Sequence, residues 1–247
     1  MQKRRMSAML FCMASTMFTA AAQTTPALLS VARIQVKPDR VAEYIDVEKQ
    51  YATAFKKGGG TIRAVYRSAA GNPFEFMVVA GMPNYAILDD KSFYAKGATE
   101  AELARMAARR SQCVESVRTT YEKPQADMSF NPQGTPQPKT IEVVRVNVRQ
   151  EMVDQWMATV KNELIPAFQK AGQPGVLCRR VEFGGSRSQF TFRVPLNKWA
   201  DLDAASPLVK VLGPDGMAKL AAKLNSMSSA EWLIYNYVPE LSVVPQP

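Results

Sequence analysis

The 247-residue sequence predicts an α+β protein in which two tandem βαββαβ units pack their antiparallel sheets against each other. Three observations carry this expectation. The chain repeats itself with a period of about 113 residues. Within each period the apolar residues switch between the spacing of two of a strand and the helical spacing of 3.6, in the same order. A proline-rich stretch divides the copies.

The repeat begins at Ser30 in SVARIQVKPDRVAEYIDVEKQYATAFKKGG and at Glu142 in EVVRVNVRQEMVDQWMATVKNELIPAFQKAG. Val31 falls on Val143, Arg33 on Arg145, Val36 on Val148, Val41 on Val153 and Tyr44 on Trp156. One residue is inserted near Pro166, after which Ala54-Phe55 falls on Ala167-Phe168. Tyr85-Ala86-Ile87-Leu88-Asp89 then matches Trp199-Ala200-Asp201-Leu202-Asp203, and the helical run from Ala104 matches the run from Ala218.

Each element follows from local chemistry. Leu28 to Lys37 alternates, with Ala32, Ile34 and Val36 on one face and Val31, Arg33 and Gln35 on the other. Pro38-Asp39 starts a helix that carries Val41, Tyr44, Ile45, Tyr51 and Phe55, and Gly58-Gly59-Gly60 ends it. Thr61 to Ser68 and Phe74 to Gly81 read as strands around the turn Gly71-Asn72-Pro73. Thr99 with Glu102 forms a capping box for the second helix, and Val114 to Tyr121 is the closing strand.

The second copy repeats this. Val144, Val146 and Val148 oppose Val143, Arg145 and Asn147. A helix from Val153 to Gly172 should be kinked or interrupted in its last turns by Pro166. Strands follow at Val176 to Phe183, Gln189 to Val194 and Glu231 to Val238. The order is that of the ferredoxin-like split unit, with helices on one face of the sheet. The face bearing Arg33 also receives apolar residues, and packing one sheet on its twin keeps that face from water.

The units are 23–122 and 140–247, joined by a Pro-rich linker, 123–139, in which four prolines favour extended backbone. Residues 1–22 read as a secretory signal. Lys3-Arg4-Arg5 precedes an uncharged apolar run from Met6 to Ala20, and Ala20-Ala21-Ala22 offers small residues for cleavage. The run is too short to span a bilayer, which takes roughly 20 residues. The protein is therefore expected to be exported, periplasmic or secreted, with no membrane partner once cleaved. Losing three basic residues takes the formal charge from +9 to +6. Those charges are scattered, so a nucleic-acid footprint is not indicated.

The strand, Lys-Pro-Asp and amphipathic helix from Val31 to Tyr44 resemble the start of dimeric α/β-barrel domains, including NIPSNAP-like and antibiotic-biosynthesis-monooxygenase-like proteins. The resemblance covers both copies, about 28–122 and 140–242. It implies a barrel closed by two ferredoxin-like units, either within one chain as an internal pseudo-dimer or in a homodimer. It implies no single activity.

The chemistry is narrowed by composition. The sequence contains no histidine, the commonest metal ligand and general base near neutral pH. No Asp/Glu cluster has ligand spacing, so neither a metal nor another cofactor is expected. Haem-handling members of the resembled superfamily typically use a histidine, which this chain cannot supply. The triple glycine lacks the Lys-Ser/Thr of a phosphate loop. Cys113 and Cys178 are not repeat equivalents. They read as two buried thiols or, in an exported protein, as a disulfide formed if the last strand of the first copy lies beside the second strand of the second.

The matched pair Arg33 and Arg145, mid-strand on the face turned from the helices, needs acceptors. They read as a structural ion network or as the heart of an anion- or carbonyl-recognising site shared with Tyr121 and Tyr237. Tyr66, Trp156 and Trp199 read as core. Three functions fit: a module binding a small molecule or a partner, a cofactor-independent monooxygenase-like enzyme, and a structural or assembly protein. A closed apolar cavity lined by Arg33, Arg145 and a tyrosine favours the first two, and a filled barrel centre the third.

Overall fold

The computed structural model describes residues 26–89, 92–130, 137–196, 198–203 and 206–244. The signal segment and the middle of the Pro-rich stretch lie outside them. In chain order the elements are β1 (Leu28–Val36), α1 (Val41–Lys57), β2 (Arg63–Ala70), β3 (Glu75–Met82), α2 (Phe93–Gly97), α3 (Glu100–Cys113) and β4 (Val114–Pro124). Then come β5 (Thr140–Val148), α4 (Val153–Thr159), α5 (Ile165–Lys170), β6 (Leu177–Phe183), β7 (Gln189–Leu196), α6 (Pro207–Asn225) and β8 (Ser228–Tyr237). Short 3-10 turns link them.

The eight strands close into one antiparallel barrel in the order β1-β3-β2-β8-β5-β7-β6-β4. The sheet β4-β1-β3-β2 meets the sheet β8-β5-β7-β6 at two seams. One is β2 with β8, where Tyr66 lies opposite Tyr237. The other is β4 with β6, where Glu122 lies opposite Val181. Closure leaves no strand edge unpaired.

Strand parity separates an outer layer from the barrel interior. Ile34, Val36, Phe76 and Val78 pack outward with Tyr44 of α1. Val144, Val146, Phe190 and Phe192 pack outward with Trp156 and Val160. Trp156 stacks obliquely on Phe190 with centroids 4.6 Å apart. Inward, Val31, Met77 and Val79 meet Ile141, Val143 and Tyr235. Such apolar area contributes roughly 25 cal/mol per Å² removed from water, so two helix-covered layers and a filled interior supply most of the stabilisation.

Local signals act as their chemistry dictates. The Thr99 side chain accepts from the Glu102 N–H, and the Glu102 carboxylate accepts from the Thr99 N–H at 2.8 Å. Gly58 caps α1, donating to Ala54 O. Gly58 and Gly97 also let α1 and α2 touch backbone to backbone: a Cβ on either would lie 1.8 Å from a carbonyl oxygen of the other helix.

Two expectations are corrected, and a third, the break near Pro166, takes a particular form. The α pattern of that helix is interrupted. Residues Val160–Leu164 form one π-helical turn between α4 and α5, and the chain runs on through Pro166. The single inserted residue of the repeat alignment is absorbed there, because a π turn holds one extra residue within a helix. The expected linker does not begin at Lys123: β4 runs on to Pro124, and Phe130 bridges to Val176. Met128 is fully buried against the β6–β7 side of the barrel, so the first half of this stretch belongs to the wall. Trp199 is not core; it opens a 3-10 turn beyond the end of β7 and is 48% exposed.

Candidate functional site

The barrel interior is charged at its middle. Arg33, Arg145 and Arg179 with Glu122, Thr191 and Tyr235 line the central cavity. Its volume is only about 10 Å³, room for roughly one water molecule. The centre is therefore filled by side chains rather than open to a ligand, the outcome that favours a structural role for the barrel interior itself.

Strand pairing sets these contacts. Glu122 and Arg179, from opposite sides of the β4–β6 seam, form a buried ion pair at 3.4 Å. Thr120 donates to the other Glu122 oxygen at 2.8 Å. The Tyr235 hydroxyl donates to Glu75. Burial, that hydrogen bond and the Glu75 charge hold the phenol well above its ordinary pKa, so it stays a donor.

The matched arginines differ in their neighbours. Arg145 lies opposite Glu231 of β8 and pairs with it at 2.9 Å. Arg33 lies opposite Arg118 of β4. Among the described residues neither Arg33 nor Arg118 has a carboxylate within ion-pair distance. Arg118 is exposed, and water screens the repulsion of two like charges on facing strands. Arg145 Nε and Arg179 Nε are buried without hydrogen-bond partners.

The two tyrosines grouped with these arginines in the sequence part company. Tyr237 faces inward, its ring 5.7 Å from that of Tyr66 across the β2–β8 seam. Tyr121 lies opposite Ser30, on the outer parity of β4, and turns to Tyr85 at 6.5 Å. Its neighbours Thr120 and Glu122 take the inward positions, and the β4–β6 register shifts between Tyr121 and Glu122. Tyr121 therefore shares no site with the arginines. A match of strand ends in sequence does not carry side-chain parity across an irregularity.

A larger concavity lies on the surface, at the β2–β8 seam. A surface cleft of about 460 Å³ runs between α1 and the ends of β2 and β8. Its apolar floor is Ile45, Pro73, Phe76, Val238 and Pro239; Arg67, Ser68, Asn236, Tyr237 and Glu240 supply polar groups. Arg67 Nε donates to Pro73 O at 3.0 Å, and the guanidinium lies 5.6 Å above the Phe76 ring. Sequence reading reached Tyr237 but not Arg67, Asn236 or Glu240. The only available signal was a polar residue on the outer parity of two strand ends, which is common.

A second charged cluster sits under the helices of the first half. Glu48 of α1 accepts from Arg63 of β2 and, at 2.8 Å, from Arg110 of α3. Arg63 also reaches Tyr94 of α2 at 3.2 Å and the Leu241 carbonyl. The Glu48 and Arg63 side chains are only 1% and 2% exposed. These contacts tie α1, α2, α3 and β2 together.

Cys113 and Cys178 are free and buried. The β4–β6 pairing that a disulfide needs does form, yet the thiols sit in separate outer clusters, Cys113 beside Ile34 and Cys178 beside Met128. Cys113 precedes β4, away from the stretch that meets β6. Burial pushes both thiols up. Among the described residues no group of three or more His, Cys, Asp or Glu could hold a metal ion, and no helix is long and apolar enough to cross a membrane.

Glu142, on the outer parity of β5, is half-buried, and burial raises its carboxyl pKa. A raised folded-state pKa means the charged form opposes folding; stability is lost as pH rises through it. Glu142→Gln is expected to melt above the parent at pH 8, with the difference vanishing as pH falls below the carboxylate range. Thermal melts across that pH series check this.

No family model matches the chain, and no curated protein matches it. Solved structures do. An anthrone oxidase-like protein aligns with a TM-score of 0.62 at 11% identity over 87% of this chain and 94% of its own. A monooxygenase-type protein from Lactobacillus acidophilus NCFM aligns at 0.59 and 10% identity over 89% and 97%. A chlorite dismutase from Candidatus Nitrospira defluvii aligns at 0.52 and 12% over 88% and 93%. At such identities the likeness is one of fold, and the chain has the closed α+β barrel of these monooxygenase-type and chlorite dismutase structures.

Proposed function

We propose that this is an exported small-molecule-binding protein whose ligand occupies the cleft at the β2–β8 seam, with the charged barrel centre as its scaffold. The carrying observation is the contrast in space. The cleft offers about 460 Å³, within the range of small-molecule sites, and the barrel centre about 10 Å³. Arg33 and Arg145 then serve the scaffold, and Tyr237 joins the scaffold to the cleft. Export rests on the basic, apolar and small-residue succession of residues 1–22. The repeat alignment and the like strand orders of the two sheets support a tandem ferredoxin-like duplication, one chain acting as its own pseudo-dimer.

The fold likeness to monooxygenase-type and oxidase-like proteins supports a second reading, in which the bound molecule is oxidised without a cofactor. The readings separate in one experiment. Protein purified from the periplasm is analysed by native mass spectrometry, then denatured to release its ligand. The expected result is a chain starting at Gln23 with a small molecule bound, and loss of that molecule in Ile45→Trp, which fills the cleft from α1. Oxygen consumption on adding the released molecule back selects the enzymatic reading. An empty parent protein that also shows no thermal shift with metabolite panels overturns both.

A further inference from the structure

The cleft carries two opposite charges that do not meet. Arg67 projects from β2 and Glu240 from the turn after β8, and both line the same concavity. Among the described residues neither takes part in an ion pair, with each other or with any third group. Arg67 is held in place. Its Nε is spent on the Pro73 carbonyl and its plane lies over Phe76, so its two terminal nitrogens are left as a donor pair. A guanidinium fixed in this way suits the two oxygens of a carboxylate. Asn236 adds an amide on the same wall: its oxygen accepts from Thr140 at 2.9 Å, which leaves its NH₂ to donate. The same lining includes Ile45, Val238 and Pro239, whose side chains offer hydrocarbon and no hydrogen bonds.

We infer that the cleft recognises a zwitterion with an apolar body, a free amino acid with a large aliphatic or aromatic side chain. Its carboxylate lies on Arg67 and Asn236, its ammonium on Glu240, and its side chain on Ile45, Val238 and Pro239. A simple anion leaves Glu240 opposing it, and a simple cation leaves Arg67 opposing it. One molecule bearing both charges matches both groups. This assignment rests on the cleft being a binding site at all.

The test is isothermal titration of the whole exported protein with leucine, phenylalanine and tryptophan. Each is compared with its C-terminal amide, which lacks the carboxylate, and its N-acetyl form, which lacks the ammonium. The parent protein should bind a free amino acid at least tenfold more tightly than either blocked form. Arg67→Gln should abolish the preference over the amide and keep that over the N-acetyl form. Glu240→Gln should do the reverse. Equal binding of free and blocked forms overturns the assignment, as does a variant pattern that does not cross in this way. A different small molecule held in the cleft, with no response to these amino acids, also overturns the assignment but leaves the cleft as a site. An empty, unresponsive cleft removes both.

Discussion

Glu48→Ala is expected to destabilise the protein by about 3–5 kcal/mol, the cost of stripping a buried charge network of one partner. The carboxylate stands between the Arg63 and Arg110 guanidiniums, and Arg63 is almost entirely out of water. Without it, two positive charges face each other beneath α1, and Tyr94 and the Leu241 carbonyl cannot neutralise them. The loss is a large part of the roughly 5–15 kcal/mol that holds a typical domain folded. Glu163→Ala supplies the contrast. Its partner Lys223 is 2.5 Å away, yet both side chains are more than 40% exposed, and a surface pair contributes about 0–1 kcal/mol. Urea unfolding of both variants checks the difference; equal losses would show that the buried cluster is not a tie.

Gly184→Val is expected to cost about 2–5 kcal/mol by opening the β4–β6 seam. Gly184 has φ +81°, a left-handed backbone that costs a residue bearing a Cβ about 1–2 kcal/mol. A Cβ there also lies 2.2 Å from the Thr119 carbonyl oxygen and 3.0 Å from Thr120 Cα. Those are backbone atoms of the facing strand, so relief requires moving the strand, an overpacking cost of about 1–3 kcal/mol more. Gly172 has φ +72° with nothing within 4 Å of the same added atom. Gly172→Val should therefore show the conformational cost alone. The gap between the two variants in urea unfolding measures the seam.

Much of the architecture was legible because it is local. Alternation in β1 and β5 named the helix-facing residues Ile34, Val36, Val144 and Val146, since neighbouring strand residues must point to opposite faces. Thr99 and Glu102 announced their capping box, and the glycines after α1 announced its end. The inserted residue at Pro166 was visible as a gap in the repeat. Its form, a π turn, left Val160 and Ile165 both packed in the core against the sheet.

The candidate site was harder to read, for a physical reason. Arg33 and Arg145 are matched in sequence, yet what each meets is set by the partner strand: Arg118 for one and Glu231 for the other. Tyr121 follows from its own parity and from a register shift that no periodicity reveals. Trp199 shows that an aromatic residue just past a strand end can miss the core entirely.

Most strands, their faces and the absence of histidine could be read from residue order alone, because backbone preference and apolar spacing act over a few residues. Tertiary pairing closed the barrel on a filled, charged centre and placed a cleft of about 460 Å³ outside it, at a seam. That cleft joins Ile45 and Arg67 to Asn236 and Glu240. Residues so distant in the chain become neighbours only when β2 pairs with β8, and no short-range pattern encodes which strand edges will meet.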